Sequence, residues 1–253
     1  MSIGTVLAVI AAGFGAGAVN TIVGSGSLIT YPVMVLLGVP PVSANIANTV
    51  GLVPGSIAGA WGYRRELREI KPLLIRLGAT SVVGAVIGAA LLTVLPARSF
   101  QLVVPVLILG AALLVAFQSR IIRSMKPVKG TRWVPLIACV LGASIYGGYF
   151  SAAQGVILLG VLGLFLSAGI QTQNAAKNLL QGLVNIVAAI YFTAGGHVLW
   201  QWAALVAIGS VAGAIVGAWL ARRIPTNAFR IFIVIFGLTM AVVMAVLAFH
   251  QIH

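Results

Sequence analysis

Acidic residues are almost missing from this chain. Its 253 residues hold two carboxylates, Glu66 and Glu69, both inside the basic stretch 64–71. No aspartate occurs. The apolar parts therefore offer no Asp or Glu for a proton or sodium relay, and no carboxylate pair for general acid–base work. A lone cysteine, Cys139, excludes a disulfide within the chain and says nothing of redox compartment. The histidines, His197, His250 and His253, have no metal-ligand spacing and fall at predicted outer ends. There is no phosphate loop of the GxxxxGK[ST] type and no nucleophile–base pair. These absences disfavour an ATPase or a membrane hydrolase, so no enzyme, cofactor or metal is expected.

Charge of either sign is scarce, at 7% of residues, against 61% hydrophobic. That is not a soluble domain. Apolar runs of about twenty residues recur, each enough to span a bilayer as a helix. The runs are continuous rather than alternating, which favours helices over a barrel. The 30 glycines suit close helix packing in lipid. The first residues, MSIGTVLAVI, carry no basic region and no cleavage site, and read as a first membrane helix rather than a removable signal.

The chain repeats at an ungapped offset of 129. Asn45 falls on Asn174, Ala47 on Ala176, Ile57 on Ile186, Ala60 on Ala189, Ser81 on Ser210, Gly84 on Gly213, Gly88 on Gly217, Pro96 on Pro225 and Phe100 on Phe229. Internal repeats of this kind mark secondary transporters. Residues 1–124 form one membrane repeat, 125–132 a basic linker and 133–253 a second repeat. Each copy reads as five helical pieces, at about 3–22, 26–37, 42–63, 72–95 and 98–118, then 133–152, 155–168, 171–192, 201–222 and 227–249. The second piece of each copy is too short to span. The first of these follows Gly24-Ser25-Gly26 and contains Pro32. Each reads as a half-helix entered through a break in the backbone. The first two pieces of a copy fit either two crossings or a re-entrant hairpin.

The net charge of +13 is explained by topology rather than by nucleic acid. Arg64, Arg65, Arg68, Lys71 and Arg76 surround one connection; Arg120, Arg123, Lys126, Lys129 and Arg132 surround the linker; Arg222, Arg223 and Arg230 surround the last connection. With all three in the cytoplasm, the positive-inside rule is met. The basic connection 64–71 has a repeat partner, 193–200, with no Lys or Arg. Equivalent connections then lie on opposite sides. The fold class expected is an all-α polytopic membrane protein of two inverted-topology repeats in the cell inner membrane, each with a broken or short half-helix near its start and both termini outside. Tyr63, Trp133, Tyr191, Trp200 and Trp202, joined by Trp61 and Trp219, are candidate interface aromatics.

Candidate chemistry concentrates in three places. The segment QTQNAAKNLLQGLVNIVAAIYF, 171–192, places Asn174, Lys177, Asn178, Gln181 and Asn185 on one helix face. Lys177 is the one cation well inside an apolar segment. A charge near the bilayer centre costs about 2.5–3.5 kcal/mol even on lenient scales, so it needs a reason. An anionic substrate supplies one; a lysine snorkelling from a helix end is the alternative. The matching segment of the first copy carries Asn45, Asn48, Thr49 and Ser56 on one face, either facing that stripe or bonding neighbouring helices. Pro54, between Gly51 and Gly55, is expected to kink this helix. The third place is the pair of breaks, Gly24-Ser25-Gly26-Ser27 and Ala153-Gln154-Gly155. At the midplane each presents a positive helix N-terminus with free N–H groups. Ser25, Gly26, Gln154 and Gly155 are the candidate donors. A small anion and the bilayer are the partners expected; monomer and homodimer both fit.

Two stretches, VGSGSLITYPVMVLLGVPPVSANIANTVGLVPGSIAGAWGYRREL and NAAKNLLQGLVNIVAAIYF with the following GSVAGAIVGAWLARRIP, give the chain a resemblance to the sulfite exporter TauE/SafE family. It covers nearly the whole length. It departs in the glycine run after the first helix, reduced here to Gly24 and Gly26, and to Gly155 in the second copy. What the resemblance implies is transport of small sulfur-containing anions such as sulfite or organosulfonates. An anion channel, or a membrane subunit docking a soluble partner through basic loops, are the other functions this architecture allows.

Overall fold

The computed structural model describes residues 1–61, 71–124, 130–220 and 226–250. Tyr63, Arg64, Arg65, Glu66, Arg68, Glu69, Lys126, Lys129, Arg222, Arg223 and His253 lie outside the described residues, as does most of the linker. The described residues form ten helices and no strand: α1 (Ile3–Ile22), α2 (Ser27–Leu36), α3 (Pro41–Trp61), α4 (Lys71–Val94), α5 (Ala97–Ser124), α6 (Trp133–Tyr149), α7 (Gln154–Phe165), α8 (Ile170–Ala194), α9 (Trp200–Leu220) and α10 (Thr226–His250). The expected pieces all appear. α5 runs further than 98–118, to Ser124, because nothing between Gln118 and Arg123 breaks a helix. α6 stops at Tyr149 rather than 152, where Phe150 turns extended.

Six helices, α1, α4, α5, α8, α9 and α10, are long and apolar enough to cross a membrane. α3 matches them in length, with 21 residues, but its polar stripe dilutes its apolar character. α2 and α7, with 10 and 12 residues, reach only about 15 and 18 Å at 1.5 Å per residue. The α3 helix continues through Pro54 without interruption. Large apolar side chains point outward along these helices, among them Leu7, Val83, Ile87, Val106, Ile208, Ile215, Ile235 and Val242. Such a surface belongs against lipid, not water. At one end of the bundle the Arg76 guanidinium lies 5.0 Å over the Trp133 ring, a cation–π contact of the interface type.

The two halves exchange partners. α1 packs chiefly on α9, and α6 on α4. α3 packs on α9 and α8 on α4 in the same reciprocal way. α3 meets α8, and α5 meets α10, across the middle. The glycines that recur in the sequence make these crossings. A Cβ on Gly84 would lie 2.9 Å from the Leu141 carbonyl oxygen, and one on Gly88 would run into the Ile145 backbone, both on α6. Their counterparts, Gly213 and Gly217, press in the same manner against Phe14 and Ala18 of α1. Small residues permit this backbone approach, which replaces the hydrophobic driving force that lipid removes.

Candidate functional site

Each half is entered through a helix that stops inside the bundle. α1 ends at Ile22, and Gly24 turns the chain at φ +86. α6 ends at Tyr149, and Ala153 turns it at φ 56, the one non-glycine in the left-handed region among the described residues. The two turns touch. The Gly155 N–H donates to the Gly24 carbonyl at 3.2 Å, and the Ser27 and Ser151 hydroxyls share a hydrogen bond at 2.7 Å. A Cβ on Gly24 would stand 2.8 Å from the Gly155 Cα, and one on Gly155 2.7 Å from the Gly24 Cα. Only glycine fits at either point. The N-termini of α2 and α7 thus begin side by side, and two positive helix ends face one small region.

Lys177 of α8 reaches this crossing. A Cβ on Gly24 would lie 3.5 Å from its Nζ. The side chain is 1% exposed and makes no hydrogen bond or ion pair with any described residue. On the helices that meet here, amides and hydroxyls sort into two groups by their partners. Some tie helices together. Gln181 Nε2 donates to Asn20 Oδ1 at 3.0 Å and to the Gly24 carbonyl at 3.5 Å. Asn48 donates to Ser27 Oγ at 2.9 Å and accepts from Thr30. Thr49 bonds back to the Asn45 carbonyl of its own helix at 3.0 Å. Ser56 Oγ accepts from Asn185 at 3.4 Å and from Asn20 at 3.5 Å. The sequence offset of 129 superposes Ser56 on Asn185, and this bond joins the two.

The other group has polar atoms enclosed and unpaired among the described residues: Ser25 Oγ, both amide atoms of Gln154, Asn178 Nδ2, Asn45 Oδ1 and Asn185 Oδ1. Asn45 is held by its other end, which donates to the Tyr149 carbonyl at 2.8 Å. Buried polar groups left unpaired cost about 1–3 kcal/mol each, so each needs a partner that the described residues do not supply. The structure therefore brings Lys177, Gln181, Gly155 and the Gly24 turn into contact, with Asn48 joined to the same place through Ser27 and Ser151. Asn174, half-buried one turn before Lys177, forms no side-chain hydrogen bond to a described residue. Two backbone donors expected to serve an anion are engaged within the protein: Gly155 N–H with Gly24, and Gly26 N–H with Asn20 Oδ1 at 3.5 Å.

Asn20, Thr30 and Ser151 escaped the sequence reading, and Ser27 was named only as part of the first break. A polar residue within four positions of each glycine break was the available signal. So did an aromatic cluster. Tyr31 packs edge-on against Phe150 at 5.4 Å and Phe100 at 6.2 Å, and Phe100 meets Tyr149 at 5.5 Å. Phe150 is the chain neighbour of Ser151. Tyr31 also lines a cavity of about 450 Å³ formed with Val39, Gln101, Val104, Met244 and Leu247. Tyr31 thus belongs both to the cavity lining and to the aromatic cluster beside Ser151.

A family model described as sulfite exporter TauE/SafE matches residues 9–244. A "Probable membrane transporter protein ORF9" from Sinorhizobium is 28% identical over 91% of this chain and 88% of its own. A "Probable membrane transporter protein" from Haemophilus influenzae is 25% identical, covering 90% and 89%. The Escherichia coli K12 "Probable membrane transporter protein YfcA" is 24% identical over 89% and 84%. No solved structure matches the chain. With a family match across nearly its full length and six helices apolar enough to span a bilayer, this chain belongs to the sulfite exporter TauE/SafE family of multi-pass membrane transporters.

Proposed function

We propose a secondary transporter that exports small sulfur-containing anions such as sulfite or organosulfonates across the cell inner membrane, by alternating access around the crossing of the two breaks. One observation carries the reading: Lys177 is buried beside two helix N-termini with no counter-ion among the described residues. Lys177 is the counter-charge. Asn178, Gln154 and Ser25 hold free polar atoms for the anion's oxygens. Asn45, Asn48, Thr49, Asn174 and Gln181 complete or shape the cage. The sulfur chemistry rests on the family's description. Export from a negative-inside cell is downhill by about 2.3 kcal/mol per charge per 100 mV, so the membrane potential alone suffices to drive it.

The test is flux of sulfite and of a small sulfonate into proteoliposomes at clamped potential, with Lys177→Gln in parallel. Saturable, potential-driven flux in the unmodified protein that the variant lacks is the expected result. Full flux in a folded variant returns Lys177 to a structural role. Flux that does not saturate means a channel, and no flux of either anion reopens the substrate class.

A further inference from the structure

We infer that the transporter runs as an anion exchanger: its site returns across the membrane far faster carrying a second small anion than empty. This rests on the anion site proposed at Lys177 and concerns what happens after the anion leaves. In a carrier with a buried lysine, an internal carboxylate is the usual means of neutralising it once the substrate has gone. This chain has two carboxylates, Glu66 and Glu69, both in the stretch 64–71 between α3 and α4. None lies within α1, α2, α7 or α8, the elements whose residues meet at the crossing.

The groups that do meet there are amides, hydroxyls and backbone: Gln181, Asn20, Ser27, Ser151, Gly24 and Gly155. They solvate a charge without cancelling it. Several are committed to each other, and the acceptors left unpaired, Ser25 Oγ and Gln154 Oε1, are neutral. Gln181 Nε2 is held by Asn20 and the Gly24 carbonyl. Its neighbour Asn178 has its donor end, Nδ2, enclosed and unpaired, and a donor is of no use to a cation. Tyr31, which lines the cavity, packs against Phe100 and Phe150, and all three are 1% exposed. An occluded empty site therefore carries one unbalanced charge through a low-dielectric interior, where an ion without a partner is strongly disfavoured. An occluded loaded site holds a neutral, hydrogen-bonded pair. The same movement of helices is thus easy with an anion aboard and hard without one.

The formal side-chain charge also favours a cargo of one charge. One lysine balances a monoanion; a dianion leaves the occluded site with a net negative charge. Exchange of one monoanion for another moves no net charge. Net export moves one charge per cycle, carried by the empty, positive site on its way back.

The experiment uses the unmodified protein in vesicles loaded with labelled sulfite, in mildly acidic buffer where sulfite is the hydrogensulfite monoanion. Loss of label is timed with sulfite outside and with gluconate outside. Exchange predicts loss faster by about tenfold or more with external sulfite. That fast loss is unaffected by membrane potential, whereas the slow loss into gluconate quickens when the interior is made negative. Equal rates in the two buffers overturn the inference while leaving the anion site intact; they also describe a lysine that sheds its proton when empty. No loss in either buffer overturns the anion site itself, and exchange with it.

Discussion

At the scale of single residues, the site depends as much on what Gly24 lacks as on what Lys177 has. The two breaks approach so closely that one methyl group at Gly24 meets the Gly155 backbone. Gly24→Ala therefore carries two costs. One is the left-handed conformation, about 1–2 kcal/mol for an L-residue. The other is the displaced crossing. Gly38 provides a comparison at φ +90, with nothing within 4 Å of a Cβ placed there. Gly38→Ala should bear the backbone cost alone. The thermal midpoint of the detergent-solubilised protein should fall for both and further for Gly24→Ala, which should also abolish transport. Equal shifts would mean that the crossing yields without strain. Lys177 was legible in the sequence because a cation inside an apolar helix is rare and its amide neighbours share its face. Asn20 was not, because a single asparagine near the end of an apolar helix is indistinguishable from an ordinary interhelical hydrogen-bonding residue until Gln181 is seen opposite. Asn48 read as a candidate ligand group, but the periodicity that put it on the right face carries no information on its partners, Thr30 and Ser27.

At the scale of elements, α2 is a short lever between the crossing and the surface cavity. Its first residue, Ser27, bonds Ser151, and one turn later Tyr31 joins the aromatic layer. The placement of α2 and α7 was legible because glycine breaks and short apolar runs are local signals. The aromatic layer was not, since Tyr31, Phe100 and Phe150 come from three distant segments and share no periodicity. If this layer is the barrier, removing its centre exposes the crossing. In a Cys139→Ala background, Ser27→Cys should resist a membrane-impermeant thiol reagent. Adding Tyr31→Ala should raise its labelling severalfold, because truncating a buried aromatic leaves a cavity that the surroundings fill only partly. Labelling that stays low in a folded double variant would place the barrier elsewhere.

At the scale of the whole molecule, the reciprocal packing of α1 on α9 and α6 on α4 is what two copies related by a two-fold axis produce. The hydrogen bond between Ser56 and Asn185, which the offset superposes, is consistent with such an axis between α3 and α8. The ungapped offset of 129 made the repeat visible, because polar and proline matches survive where apolar residues interchange freely. Packing alone does not say which way each copy faces the membrane; the distribution of Lys and Arg favours opposite directions. Inverted copies would differ at one pair of positions, Arg68 and His197, which the offset superposes. In the Cys139→Ala background, His197→Cys should be labelled by an impermeant thiol reagent on intact cells. Arg68→Cys should be labelled only after the membrane is permeabilised. Copies facing the same way would give both sites the same accessibility. Opposite accessibility at matching positions would show that the two half-helices enter from opposite faces. Their positive ends would then meet beside Lys177 from the two sides, so that one site serves both openings of the transport cycle.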